Sequence, residues 1–438
     1  MRENKLLLNL ALICFLFSQN SIAADLTDVY KRAIKQNDDY RVVKNNSLIS
    51  KEQYNQTSSS IFPEINFTAS TTETTIQRYI GPGSNTDFDT ETYNLTLKQP
   101  IFRLAFFDEL QKSEALLSKS KTYVSLHKKM IAVKTVEMYF RLIDTQNSVR
   151  ESRAKLELAK KYLSNGQKLY RDGALTRDEF REIKSNLDKE KISLDMSIND
   201  FDNAKADIYI FTGKKISDVH NLNLEIEFQN NIFISEDIID KAISSYETIT
   251  MANQDMDISQ NAFESDKSQH FPTLDLVATY DYSDVTGGAR FGANKRESSS
   301  VGLSLNFPLY QGGYQSAKVD ESRYKYQNAQ IRYEQTRKNL EKEIIDKVTK
   351  YNIQRKLILS NKEIYENENN RFVAAKEGFR SGIYTDSEVQ QSKIKLLEAK
   401  NKYITALLNY LLLELSIKQY TSDIGIQEIK EINSILVW

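Results

Sequence analysis

The chain has 438 residues, 27% of them charged, and its formal net charge of -1 gives no hint of a polyanionic partner, so nucleic-acid binding is not expected. The single cysteine, Cys14, and three histidines (His127, His220 and His270), scattered without metal-ligand spacing, leave no basis for disulfide, thiol or metal chemistry. With no glycine loop followed by lysine to cradle a nucleotide, neither an enzyme nor a cofactor is expected.

The N-terminus reads as a signal peptide spanning residues 1–23. Arg2 and Lys5 flank the start of an apolar run from Leu6 to Phe17, and Ser21-Ile22-Ala23 offers a small-x-small cleavage pattern. The mature chain is expected to start at Ala24 and, since Cys14 lies in the apolar run, to carry no thiol, which an oxidising compartment permits. Past residue 23 no uninterrupted apolar stretch approaches the roughly 20 residues of a membrane helix. Any membrane span must then be made of strands.

The rest reads as two copies of one plan. In the first, residues 24–212, a helical pattern runs from Leu26 to Ser59, with Val29, Ala33 and Ile34 on one face, until Pro63 stops it. Ile65, Phe67 and Ala69 then alternate with Asn66, Thr68 and Ser70. After the turn-rich Gly81-Pro82-Gly83-Ser84-Asn85 the alternation returns with Tyr93, Leu95 and Leu97 against Asn94, Thr96 and Lys98, predicting a β-hairpin over 64–99. From Ile101 to Asn165 there is neither glycine nor proline, enough for a helix roughly 95 Å long at 1.5 Å per residue. A long helix is expected over 101–170 and a return helix over 176–211. Such a rod is far too long for a compact core.

Residues 213–235 form an irregular inter-repeat segment with one possible short strand, Leu222 to Phe228. The second copy, 236–421, repeats the plan: short helices, a β-hairpin over 273–307 closed by a glycine loop, a long helix over 314–378 and a return helix over 385–420. A short tail, 422–438, remains. Phe62-Pro63-Glu64-Ile65 matches Phe271-Pro272-Thr273-Leu274, and Pro100-Ile101-Phe102 matches Pro308-Leu309-Tyr310, which marks a two-fold internal duplication.

Four strands of about ten residues are long enough to cross a bilayer at a tilt. In hydrocarbon every backbone donor and acceptor must be paired, which excludes an open sheet, and the smallest bacterial barrels have about eight strands. Several chains must then contribute to one barrel. The alternation fits equally a soluble four-stranded sheet packed on its own helices; a soluble periplasmic coiled-coil scaffold would keep the helical seams and the signal peptide but would have no use for four strands with apolar outer faces. Along the first long helix a seam at spacings of three and four, including Leu110, Leu117, Val124 and Ile131, is joined by a second line through Leu116, Tyr123, Met130 and Val133. Two seams let each helix contact a neighbour on both sides, as in a closed ring; an antiparallel bundle would carry the same stripes.

The long helices end in matched turns, Arg171-Asp172-Gly173-Ala174-Leu175-Thr176-Arg177-Asp178-Glu179 and Arg380-Ser381-Gly382-Ile383-Tyr384-Thr385-Asp386-Ser387-Glu388. Glycine suits a left-handed helix terminus, and Thr-x-x-Glu is a capping box for the helix that follows. The chain is expected to reverse at both.

This duplicated order resembles the TolC family of bacterial outer membrane efflux proteins. The likeness covers nearly all of the mature chain and is most specific in Gln269-His270-Phe271-Pro272-Thr273-Leu274-Asp275-Leu276, in the stretch from Gly302 to Gly313, and in the two turns. The resemblance implies a mixed, mostly α fold: a homotrimer whose twelve strands form one outer membrane β-barrel, continued by a twelve-helix periplasmic α-barrel with an equatorial belt. It implies an outer membrane channel exporting drugs and other small toxic compounds, or secreted proteins, with a periplasmic membrane-fusion adaptor and an inner membrane efflux pump or ABC transporter. The turns Gly173, Ala174, Leu175, Thr176 and Gly382, Ile383, Tyr384, Thr385 would dock the adaptor. Glu388, with Asp386 beside it and Glu179 as its counterpart, would line the periplasmic entrance, although capping alone would also account for both glutamates. Gln391 stands where the best-known member has a second aspartate, and Phe379 and Tyr384 replace a tyrosine and an arginine of its latch. The resemblance thus implies a weaker acid ring and a different latch.

Overall fold

The computed structural model describes residues 25–75, 87–216, 219–224, 232–287 and 294–437. The expected signal peptide, the turn-rich stretch 81–85, the glycine loop at 288–292 and residues 225–228 of the expected inter-repeat strand lie outside the described residues. In chain order the elements are α1 (Leu26–Gln36), α2 (Asp38–Ser59), β1 (Glu64–Thr75), β2 (Asp87–Phe102), α3 (Leu104–Arg171), α4 (Arg177–Thr212), β3 (Asn221–Leu222), α5 (Ser235–Ser245), α6 (Glu247–Ser268), β4 (Thr273–Gly287), β5 (Asn294–Asn306), α7 (Tyr314–Arg380), α8 (Asp386–Lys418), α9 (Ile426–Ser434) and β6 (Leu436–Val437). They separate into two compact units that cut across the sequence copies. One, the sheet unit, takes Lys44–Val124 and Glu247–Arg337; the other, the helical unit, takes Met1–Val43, Ser125–Tyr246 and Lys338–Trp438.

In the sheet unit β1, β2, β4 and β5 form one antiparallel sheet in that order. Pro63 and Pro272 stand just before β1 and β4, where a residue without an N–H removes no ladder bond. β2 continues through Pro100 to Phe102 past a register shift, so α3 starts at Leu104 rather than at the expected 101. Register places Ile65, Leu97, Ala278 and Val301 level with one another, and Phe67, Leu95, Tyr280 and Ser299 in the next row on the same face. Among the described residues nothing in the sheet's own hairpins covers that face: Ile65, Phe67, Val301, Leu303 and Leu305 are 63–77% exposed. Phe67 stacks on Tyr93 with ring centroids 6.4 Å apart, and Tyr93 lies 5.7 Å from Tyr282, making an aromatic row at one end of the aliphatic band.

The opposite face is polar. Asn66, Thr96, Thr279 and Ser300 stand level, the next row holds Thr68, Asn94, Asp281 and Ser298, and the one after holds Ser70, Thr92, Ser283 and Arg296. Hydroxyl pairs span neighbouring strands, Ser70 with Thr92 at 2.7 Å and Thr279 with Ser300 at 2.8 Å, and Asn94 donates to Asp281. At the base, Arg103 Nη2 donates to both oxygens of the buried Asp275 at 3.0 Å, and Lys98 Nζ lies 3.3 Å away. The unit's helices are ordered α2, α3, α6, α7. Ser47 meets Ser120 across α2 and α3, Lys119 pairs with Asp255 across α3 and α6, and Lys318 pairs with Asp266 across α6 and α7.

In the helical unit four helices lie in the order α4, α3, α8, α7. Tyr170 stacks on Phe180 between α3 and α4, with centroids 5.0 Å apart, and Ser152 meets Ser197 at 2.8 Å. Between α7 and α8 the Tyr351 and Tyr410 rings stack 4.8 Å apart with their hydroxyls 2.7 Å from each other, and Tyr365 stacks on Tyr403. Around these lies a smaller cluster. Asp25 caps α1 through the Thr27 N–H, burying Leu26, Val29 and Ala33, and the Leu26 N–H donates to Asn433 of α9. The Tyr139 hydroxyl accepts from the His220 N–H at 3.1 Å, and burial pushes its pKa up to about 12. The tail is ordered: α9 leads into β6, which pairs antiparallel with β3 in the inter-repeat segment, Leu222 opposite Leu436. The inter-repeat strand is thus seen at Asn221–Leu222, one residue earlier than its expected start.

Tyr351 is fully buried. Tyr351→Ala is expected to lower stability by about 3–5 kcal/mol, and Tyr351→Phe, which removes only the hydroxyl bond, by about 1 kcal/mol. The readout is the midpoint of chemical unfolding in detergent. An alanine variant as stable as the parent would contradict the role given to this seam.

Candidate functional site

The two turns that join the long helices to their return helices are built alike. Gly173 and Gly382 have φ of +73° and +75°, the left-handed conformation that costs a residue with a Cβ about 1–2 kcal/mol. In the first turn Ala174 N–H donates to the Leu169 carbonyl at 2.8 Å and Gly173 N–H to that of Tyr170 at 3.2 Å. In the second Ile383 N–H donates to Gly378 at 2.8 Å and Gly382 N–H to Phe379 at 3.0 Å. This six-to-one and five-to-two pattern satisfies the last carbonyls of each long helix. The next helix is then capped at once. Thr176 Oγ1 accepts the Glu179 N–H at 3.3 Å, while Glu179 Oε2 accepts the Thr176 N–H and hydroxyl, both at 2.7 Å. Thr385 and Glu388 repeat this at 3.3, 2.7 and 2.9 Å. The threonine amide, and then its hydroxyl, hold both carboxyls below the ordinary glutamate pKa.

The turns differ in what fills them. Tyr384 lays its ring on Gly378, where a Cβ would stand 2.2 Å from ring carbon Cδ2, so the glycine in this last stretch of α7 is a seat for the ring. In the first turn Ile183 and Leu175 lie over Gly166 instead. The second turn exposes Ile383 at 75%, with Phe379 and Tyr384 nearly half exposed, whereas the corresponding residue to Ile383 in the first is Ala174.

Of the acidic candidates, Asp386 lies 2.7 Å from Lys161 Nζ on α3, and that hydrogen bond lowers its pKa. Glu388 faces its own cap, and Gln391 is exposed on the following stretch of α8. The structure therefore sets Asp386 against a cation of the first copy. Above it the same α3 to α8 boundary carries a polar ladder that sequence reasoning missed. Lys155 sits between Glu151 at 2.8 Å and Glu398 at 2.7 Å, Asn401 donates to Glu151 at 2.6 Å, and Thr405 donates to Asp144. These residues border an open polar groove of about 640 Å³ over α8. No local pattern could have revealed pairs separated by some 250 positions.

Residues 238–422 match the family model described as outer membrane efflux protein. The chain is 20% identical to the outer membrane protein TolC of Escherichia coli over 96% of its own length and 86% of that protein. It is 23% identical to the proteases secretion protein PrtF of Dickeya chrysanthemi over 56% of this chain and 54% of that protein. Among solved structures, the CmeC outer membrane channel of Campylobacter jejuni superposes with a TM-score of 0.75 at 16% identity, covering 94% of this chain and 90% of that one. A likeness at that identity establishes the fold.

Because the cap lowers both glutamate pKa values, its contribution is complete above the ordinary glutamate range and is lost as pH falls through the lowered value. Amide protection at Thr176 and Thr385, corrected for intrinsic exchange, is expected to hold to neutral pH and to decline only in acid. Glu388→Ala should remove protection at Thr385 and leave Thr176 untouched; equal protection at both would refute the capping geometry. Gly378→Ala must displace the Tyr384 ring, and rising tyrosine exposure is its check.

Proposed function

Because the chain belongs to the TolC family of outer membrane efflux proteins, we propose that three copies close into one channel through which small toxic compounds or secreted proteins leave the cell. The observation that carries this is that every layer of the chain is open, with edges that match each other rather than themselves. Inside the chain the copies join through β2 and β4, that is, the second strand of one hairpin and the first of the other. The free edges are β1, a first strand, and β5, a second strand. The helices follow the same rule. α3 joins α8, a long helix against a return helix, and the free α4 and α7 are again one of each. In the sheet unit α3 joins α6, and the free α2 and α7 correspond to α6 and α3. Edges of this kind make head-to-tail contacts, which form rings when the rotation closes, and a two-fold dimer would pair unlike surfaces with themselves.

The sheet's faces support a bilayer span. From Tyr282 to Leu274 the apolar side of β4 runs about 26 Å along the strand at 3.3 Å per residue, or about 20 Å of height at a tilt near 40°, close to the roughly 25 Å band of outer membrane barrels. Three sheets supply twelve strands, enough to close, and four helices from each copy supply a twelve-helix ring. A soluble scaffold would have no use for that exposed apolar face. Such a channel sits in the outer membrane and reaches into the periplasm, where the resemblance supplies a membrane-fusion adaptor and an inner membrane transporter as partners.

Within this reading the two turns are the adaptor-docking tips, at Gly173 to Thr176 and Gly382 to Thr385. Glu388, Asp386 and Glu179 surround the periplasmic entrance with Gln391, Phe379 and Tyr384. Asp386 is screened by Lys161 and Glu388 is engaged in its cap, which supports a weak acid ring.

Protein purified in detergent is expected to have the mass of a trimer and to conduct ions in planar bilayers; a monomer that stays soluble without detergent would favour the scaffold. Glu388→Ala should weaken block by multivalent cations added from the turn side. Unchanged block would confine Glu388 to capping.

A further inference from the structure

We propose that Asp281 and Arg296 form two charge-cancelling rings in the channel wall, which make the β-sheet part of the path indifferent to the sign of a passing solute. This assignment rests on the closed trimer proposed above, with the polar face of the sheet turned inward. On that face the strands present mostly serine, threonine and asparagine, tied to each other across strands by hydroxyl pairs, so between the rows of Val277 and Val285 the wall offers hydrated solutes neutral dipoles.

Two charged residues interrupt the neutral rows. Asp281 is hydrogen-bonded by the Asn94 amide, which leaves its charge in place, and Arg296 is exposed, with no ion pair among the described residues. Register sets Asp281 opposite Ser298, two positions along β5 from Arg296, which makes the two diagonal neighbours about 7–8 Å apart. At 0.1 M salt the screening length is about 10 Å. A solute in the pore therefore meets the sum of the two, which is zero, in each of three copies. The other charges of this face near its base also pair off: Glu64 stands opposite Lys98, and Arg103 clamps Asp275. Rings of one sign would select ions; these rings are built to oppose each other. The cargo class that fits is a hydrated solute of either charge, including a flexible polypeptide carrying both signs.

The test is the reversal potential of single channels in planar bilayers under a potassium chloride gradient near 0.1 M, read as the cation-to-anion permeability ratio relative to the parent. Asp281→Asn is expected to move the ratio toward anions and Arg296→Gln toward cations, each by about twofold, and the double variant should return to the parent value. Ser298→Asp, in the row of Asp281, adds a charge without removing a contact and should move the ratio toward cations. Glu297→Gln, at similar height on the opposite face, should leave it unchanged. Conducting channels whose ratio ignores all three inward changes, or follows Glu297→Gln as strongly, would overturn the proposal while leaving the channel standing. A parent protein that never conducts would overturn the closed trimer instead.

Discussion

Backbone pairing is the constraint from which the rest follows. Among the described residues β1 and β5 each have a neighbour on one side only, and an unpaired amide or carbonyl in hydrocarbon costs several kcal/mol. A twelve-residue edge such as β1 in lipid would forfeit far more than the total stability of an ordinary domain, about 5–15 kcal/mol. No rearrangement within one chain removes two edges from a four-stranded sheet. In the channel proposed above, the requirement for companions would thus be a property of the backbone, and the side chains would decide only which edges meet. The aliphatic band with its aromatic row states the medium, and the hydroxyl rows behind it state what lies on the other side.

The helices extend the logic to water. A helix packed on both sides has apolar positions around much of its circumference, and α3 already has two neighbours in one chain, α2 and α6 in the sheet unit and α4 and α8 in the helical unit. Leu116, Tyr123 and Met130 of its second line stay 40–51% exposed beside them. Between helices, the contact chemistry is not uniform. Within each hairpin the seam carries stacked aromatics, Tyr351 with Tyr410 and Tyr170 with Phe180, beside polar contacts such as Ser152 with Ser197, while the α3 to α8 boundary between copies is a ladder of charges and amides around Lys155. Aromatic seams resist separation because they lose buried area; polar ladders can exchange partners with water at small net cost.

Much of this was legible in the residues. Absence of glycine and proline over long runs, strict alternation before Pro100 and Pro308, and Gly-x-x-Thr-x-x-Glu are local signals, and local backbone energetics enforce them. The strand runs on past Pro100 because the register shift beside it lets a proline stay within β2, a long-range feature that the local pattern does not carry. Gly166 and Gly378 stop neither long helix; Gly378 makes room for Tyr384 of the turn and Gly166 for Ile183 of the return helix, which spacing cannot reveal. Asp386 with Lys161, the Lys155 ladder and the β3 to β6 pairing are long-range, and two-residue strands leave no periodicity to detect. The candidate entrance residues were recognisable by type and place, but their partners were not.

The way the two copies join has a consequence for assembly. Since β2 meets β4 as β5 would meet the β1 of a neighbour, one repeat cannot distinguish a covalently attached neighbour from a free one. A half-length chain with one hairpin and one helical pair therefore contains every surface needed for a ring of six. Fusing two such halves turns three of six encounters into intramolecular events with an effective concentration in the millimolar range. In a fused chain the halves can differ, and the unequal filling of the two turns, Tyr384 on Gly378 against Leu175 near Gly166, is a difference that six identical subunits could not hold.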